Sequence, residues 1–396
     1  MTDDKEKTTS LDDMFGDFAE LVLENVTIEL DELKIALRPM VQQMAKTVAG
    51  PALEMPRSLI PASFKAPIGE YTQSIQEITI GATKGQGGSR GNTITIGGHT
   101  APAWDLFQAG PKHPPVITAD VFDMPISLAK MVKMHYKEVL DDPAEWAKLV
   151  VNKFGADAVT LHLISTDRAL GDTSPNDAAK VIEDVLQAVK VPIIIGSAGD
   201  PVKDGPVLAK AAEVCEGERT LLCSATVDVY EDIAIAAKKH DQLVLSWTSI
   251  DINQAKELNR RLFDWLTPEQ IVIDPTTAAL GYGLEYAFTI MQRMRLAGLL
   301  GDEELRFPIS SGTTNAWAAR EAWLKNPELG PRELRGPIWE SVTALALLLA
   351  GSDLMMMMHP AAIKTVHDLV DWMKERQKIK PEEYPDWTTL SIPEGA

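Results

Sequence analysis

Residues 115–122 read PVITADVF and residues 158–165 read AVTLHLIS. Each is a short β-rich apolar run that ends in small, polar or acidic residues, and each is followed by a segment of helical period. The unit recurs in PIIIGSA (192–198), TLLCSAT (220–226), QLVLSWT (242–248), IVIDPTT (271–277), FPISSG (307–312) and DLMMMMHP (353–360). Strands that alternate with helices pair in parallel through right-handed crossovers. Eight such units predict an α/β chain closed into a (β/α)8 TIM barrel. An open doubly wound sheet would carry Gly-x-Gly-x-x-Gly after its first strand, whereas DMPISLAK follows here and holds no glycine.

Helix starts support the same reading. SPND (174–177), DPVKD (200–204) and DPAE (142–145) put a capping Ser or Asp directly before a proline, which suits the first helical position. TPEQ (267–270) reads as a capping box. EYAFTIMQRMRLAGLL (285–300) places Phe288, Met291, Met294 and Leu299 near one helix face. The run Met355–Met358 is expected to point alternately into the barrel and toward the helices.

Ahead of the barrel, residues 10–25 read as an amphipathic helix with Leu11, Met14, Phe15, Phe18 and Val22 on one side. Residues 26–37 alternate as two short strands, and the proline-rich 50–68 reads as a connector. The predicted organisation is an N-terminal extension and connector over 1–70, a β-hairpin and linker over 71–110, the barrel over 111–380 and a C-terminal tail over 381–396.

The net charge is −19, from 38 basic and 57 acidic side chains. That argues against nucleic acid or an anionic membrane as partner, since both are gripped through basic surface. No apolar run reaches the ~18–20 residues of a membrane helix, and no signal-peptide core follows MTDDKEKTTS, so a cytoplasmic location is expected. The two cysteines, Cys215 and Cys223, cannot assemble an iron–sulfur cluster. Cys223 reads as a small buried hydrophobe, and any metal–sulfur chemistry must come from another chain.

A stretch that invites a phosphate-loop reading is GATKGQGGSRGN (81–92). It fits neither glycine-rich phosphate pattern, and no helix follows it. ITI (78–80) and TITI (93–96) flank it with period two, so it reads as the tip of a hairpin across the N-terminal end of the barrel, with Lys84 and Arg90 exposed or facing an acidic partner.

Ligands of such barrels sit at the C-terminal strand ends. Those ends carry Asp120 and Asp123, His162 and Ser165, Ser197, Ser224, Thr226 and Asp228, Trp247 and Thr248, Asp274, Thr276 and Thr277, Ser310 to Asn315, and His359. Asp228, with Glu231 three residues on, and Asp142 are better explained as helix caps. In SSGTTNAW (310–317), a glycine before hydroxyls and an amide at a helix start would aim free N–H groups at the mouth, for an anion or for amide side arms. A plain N-cap by Thr314 or Asn315 is the competing explanation. His162 and His359 read as packing histidines, since no pair at metal-ligand spacing accompanies them. No catalytic triad or carboxylate pair can be assigned.

ITIGATKGQGGSRGNTITIGGHTAPAW, then DPTTAALGYGLEYAFTIMQRMRLAGLLGD, then FPISSGTTNAWAAREAW together resemble one family. It is the delta subunit of the acetyl-CoA decarbonylase/synthase complex, known in bacteria as the small subunit of the corrinoid iron–sulfur protein. The resemblance spans roughly residues 60–380. It implies a barrel paired as a heterodimer with a larger gamma subunit, which holds the four-iron cluster and most of the corrinoid contacts, with further subunits of the complex as partners. It also implies a corrinoid whose cobalt carries a methyl group between a methyltetrahydropterin and the nickel site of acetyl-CoA synthesis. The barrel mouth would lie against that corrinoid, with Asp120, His162, Trp247, Asp274, Thr276, Ser310, Ser311, Thr313, Thr314, Asn315 and His359 as the candidate cofactor-binding residues and no metal ligand of its own. The chain would then act within the complex rather than as an enzyme alone.

Two other readings compete. A methyltetrahydropterin:corrinoid methyltransferase barrel needs Asp and Asn at successive strand ends. Asp120, Asp228 and Asp274 could serve, but the first Asn is Asn315, after the seventh strand. An aldolase-type barrel needs a Schiff-base lysine or metal ligands at a strand end, and no run offers a lysine there.

Overall fold

The computed structural model describes residues 70–103 and 112–375. They belong to the unit Pro67–Ala396, one of two into which the chain divides, the other being Met1–Ala66. The helix expected over 10–25, the strands over 26–37, the connector over 50–68 and the tail from 381 lie outside the described residues.

Two antiparallel strands come first, β1 (Glu77–Ile80) and β2 (Ile94–Gly97). Eight parallel strands follow: β3 (Val116–Phe122), β4 (Ala158–His162), β5 (Ile193–Gly196), β6 (Leu221–Ala225), β7 (Leu243–Trp247), β8 (Ile271–Asp274), β9 (Ile309–Ser311) and β10 (Ser352–Met357). They pair in sequence order, and β10 pairs with β3 to close the barrel. All eight expected strands are present. The weakest seam is β8 to β9, joined through the single register pair Ile273↔Ile309.

Alternation along each strand sorts side chains into two cores. Ile117, Ala119 and Val121 of β3 face outward into the layer beneath the helices, with Leu161, Ile195, Leu222, Val244 and Ile273. Val116 faces inward, with Ile194, Leu221, Leu243, Leu245, Val272 and Leu354. Met356 lies in the inner set and Met355 and Met357 in the outer one, the alternation expected of the methionine run. Inward positions grow more polar toward the C-terminal ends. Val116 leads to Thr118 and Asp120, Leu245 to Trp247, and Val272 to Asp274. The Thr118 and Thr160 hydroxyls satisfy each other within the lumen at 2.8 Å.

The opposite end of the lumen is closed by the hairpin, whose Ile78, Ile80 and Ile96 are buried in the inner core. Each such burial contributes roughly 1.5–3 kcal/mol. A second tie holds the hairpin side to the barrel. Asp353, at the start of β10, accepts from His99 Nε2 at 2.9 Å and from the Ile309 amide at 2.8 Å, and it pairs with Arg295. Burial pushes its carboxyl up, but Arg295 and His99 outweigh that and hold it below the usual range.

Helices α1 (Lys130–Tyr136), α2 (Pro143–Asn152), α3 (Pro175–Ala188), α4 (Asp204–Val214), α5 (Tyr230–Lys239), α6 (Ile252–Leu262), α7 (Leu284–Leu299), α8 (Arg320–Trp323), α9 (Arg332–Ala350) and α10 (Pro360–Glu375) lie between and after the strands. Ser174 and Asp142 cap α3 and α2 as expected. Two starts differ. The Thr267–Gln270 box caps a 3-10 turn leading into β8. Asp200 does not begin a helix, since α4 starts at Asp204; Asp200 instead pairs with Arg168 and accepts from the Val202 amide.

The glycine-rich loop also departs from expectation at one residue. It does cross the N-terminal barrel end, where Gly88 packs so closely that a Cβ would stand 2.2 Å from the Ala82 carbonyl oxygen. Lys84 is exposed, but Arg90 is only 2% exposed. Its guanidinium donates to Glu218 at 2.7 Å and to the carbonyls of Val189 and Leu186, because the unpaired ends of α3 need donors there. Removing one partner of a buried ion pair costs about 3 kcal/mol or more. Arg90→Ala should therefore lower the free energy of urea unfolding by about that amount, while Lys84→Ala stays within about 0.5 kcal/mol of the unchanged protein.

Candidate functional site at the barrel mouth

The polar tops of the inward-facing positions open onto a cleft of about 640 Å³ at the C-terminal strand ends. Its walls carry His162 from β4, Trp247 from β7, Asp274 from β8 and Asn315 from the segment after β9. These four of the expected residues do meet. Three acids line it, Asp204, Asp228 and Asp274, and neither lysine nor arginine is among the lining residues.

Asp274 is 7% exposed, and its Oδ1 accepts the Thr276 amide at 2.8 Å. Burial pushes its carboxyl up to about 7, against the pull of that one hydrogen bond. Thr276 is held at φ 76°, an unusual conformation for a β-branched residue. Its hydroxyl donates to the Thr248 carbonyl, so it buttresses Asp274.

Asp204 reaches the cleft from the first turn of α4. Burial raises its carboxyl, opposed by the Ser197 hydroxyl and the Gly199 and Asp200 amides. Its Oδ1 is buried without a hydrogen-bond partner. Asp228 is exposed at the rim. It does not cap α5, whose N-cap is Val229 and makes no side-chain bond, so the cap expectation fails there.

Behind this surface lies a supporting layer. Asp120, buried at the top of β3, has Oδ1 3.1 Å from His162 Nε2, and its Oδ2 accepts the Thr314 hydroxyl. The His162 ring stacks on Phe122 at 5.0 Å and rests over Gly196, where a Cβ would come within 2.9 Å of the imidazole Nδ1. Ser311 bonds Thr277 at 2.8 Å and Thr313 at 3.0 Å, and the Asn315 amide donates to the Thr277 carbonyl at 3.0 Å. Ser310, Ser311 and Thr313 are fully buried and are not among the cleft-lining residues. The segment Thr313–Ala318 is a 3-10 turn without a side-chain cap, so neither Thr314 nor Asn315 serves as an N-cap.

His359 stands apart from the cleft. It stacks on Trp317 at 5.7 Å and meets His135 edge-on, and its Nδ1 accepts the Ala361 amide. Burial and then the charge of His135 push it down to about 4. Next to it, Glu340 of α9 is fully buried and gathers three donors: the amides of Met358 and His359 and the Trp317 indole at 2.9 Å. Burial lifts its carboxyl to about 7 despite those bonds. Glu340 thereby ties the segment after β9 to the end of β10. Nothing in the helical pattern of α9 singles it out. Asp204 was likewise hidden inside an apparent helix start.

Among the described residues no group of three or more His, Cys, Asp or Glu could hold a metal ion, and no helix is long and apolar enough to cross a membrane. The fold and site define a closed parallel (β/α)8 barrel with an acceptor-rich mouth. The family model for the CO dehydrogenase/acetyl-CoA synthase delta subunit matches residues 77–326. The acetyl-CoA decarbonylase/synthase complex subunit delta of Archaeoglobus fulgidus is 55% identical over 88% of this chain and 79% of its own length. That of Methanothermobacter thermautotrophicus is 41% identical over 97% of each chain. Among solved structures, a dihydropteroate synthase from Xanthomonas albilineans aligns with a TM-score of 0.48 and 15% identity, covering 67% of this chain and 94% of that one. The chain belongs to the delta subunit family of the acetyl-CoA decarbonylase/synthase complex.

Asp274 titrates upward in the fold, from about 3.8 to about 7, so the folded state holds its proton more tightly than the unfolded chain. Its contribution is then complete below about pH 4 and lost as pH rises through 7. Asp274→Asn should gain in melting temperature over the parent as pH increases from 5 to 8. An equal difference at both pH values would contradict the buried-carboxyl account.

Proposed function

We propose that the barrel mouth covers one face of a corrinoid held mainly by a partner gamma subunit, and so supports methyl transfer between a methyltetrahydropterin and the acetyl-CoA synthase nickel site. The observation that carries this reading is the acceptor-lined cleft without a lysine or arginine, whose walls include Asp204, Asp274 and Asn315. Phosphates and carboxylates are poorly served by such walls. An uncharged ring fringed with amide groups fits them, because amide N–H groups satisfy carboxylate oxygens and Asn315 both donates and accepts. When bound, the corrinoid supplies the cobalt that carries the methyl group.

The chain's own residues would hold and shield the group. Asp204, Asp274 and Asn315 would take amide arms, and Trp247, Leu245 and Met356 would exclude water from the covered face. Asp120, Thr314 and Glu340 keep the walls in place without facing the ligand. A cleft of about 640 Å³ would take only part of so large a ring, so most of the holding would fall to the partner.

A second reading is favoured by Asp228, which is free of any capping duty and shares the cleft with Asp274 and Asn315. That set supplies the acids a methyltetrahydropterin:corrinoid methyltransferase would need, while its one amide, Asn315, comes only after the seventh barrel strand. The two readings separate in one comparison. The full chain alone should bind corrinoid weakly and give no steady methyl transfer to free cob(I)alamin, with tight binding only beside the corrinoid-carrying subunit. Sustained turnover by the chain alone would establish the methyltransferase instead, and tight corrinoid binding by the chain alone would defeat the covering role.

A further inference from the structure

Barrel helices normally bury one stripe and turn a charged face to water. Helix α3 does so with Lys180 and Asp184 exposed, and α10 with Lys364 and Asp368. Helix α9 does not. Its outward positions are Leu334 (59% exposed), Ile338 (52%), Val342 (38%) and Leu349 (38%), with Leu345 half-buried between them. Its charged residues within this span, Arg335 and Glu340, are turned inward: Arg335 donates to the carbonyls of Glu321 and Leu324, and Glu340 holds the mouth segments. A contiguous aliphatic stripe turned to water is the mark of an interaction surface.

We propose that the outer face of α9 docks an uncharged aliphatic helix face of a different protein chain. The stripe from Leu334 to Leu349 runs about 22 Å, at about 1.5 Å per residue. That is the length of an interface core, and a standard interface needs about 800 Å² per partner. The exposed Leu329 and Trp323 extend the patch at the α8–α9 junction. A second copy is disfavoured because each chain carries a net charge of −19, which opposes self-association. A different chain is available, because the relatives are named as subunits of a complex. The inference rests on that membership and not on the corrinoid reading, which the binding comparison above tests by itself. It also separates two duties of one helix, since the inner face of α9 organises the mouth while the outer face takes the neighbour.

The test is co-expression of the full chain with the other subunits of its complex, followed by size-exclusion chromatography and light scattering. Ile338→Glu and Val342→Glu should fold, by circular dichroism and melting, and should weaken retention by another subunit roughly tenfold or more. Lys364→Glu on α10 should co-elute as the parent does. A photo-crosslinking side chain at position 338 of an otherwise unchanged chain should label a different subunit, which reads the contact even if the charged variants fold poorly. Unchanged co-elution of the folded glutamate variants would overturn the proposal. So would labelling confined to a second copy of this chain, or an unmodified chain that no other subunit retains.

Discussion

A parallel barrel is held closed by what fills it. Eight strands enclose a lumen whose inward side chains must satisfy one another, and here the filling changes character along the axis. Isoleucines of the hairpin, then valine and leucine of the strands, occupy the base. Threonines paired with each other follow, and buried carboxylates and a histidine finish at the top. Apolar burial at the base supplies the stability that lets polar groups stand partly desolvated above. The cost of those groups shows in Asp274 and Glu340, both lifted to about 7 by burial.

This arrangement explains why the mouth has the electrostatics it has. A desolvated carboxyl without a neighbouring cation resists ionising, as at Asp274. A ligand that brought N–H donors would relieve it. A buried cation–carboxylate pair, Arg295 with Asp353, lies at the far end, where it fastens β10 to β9 and to His99.

The strands were legible in the sequence because each combines β-rich apolar runs with a polar end, and that pattern depends on the period alone. Part of the cleft was legible for the same reason: His162, Trp247, Asp274 and Asn315 follow directly from strand ends. Asp204 and Glu340 were not, since each lies within a helix where an acid is ordinarily solvated, and only the tertiary contacts reveal otherwise. Asp228 resembled a cap because spacing cannot tell which way a side chain turns. Arg90 looked exposed in its glycine-rich tip, but its partners, Glu218 and the end of α3, lie 96 to 128 residues away. The resemblance to the delta subunit family rested on long segments and is confirmed by the match over residues 77–326.

Several of the bonds that shape the mouth span the chain. Asp120 meets Thr314, the segment after β9 meets the end of β10 through Glu340, and β10 itself pairs with β3. Translation must therefore pass Thr314 before the first of these bonds can form and Met358 before the last is completed. A nascent or truncated subunit would expose strands without a formed mouth and could not capture a ligand early. The pocket is thus complete only when β10 has closed the barrel onto β3.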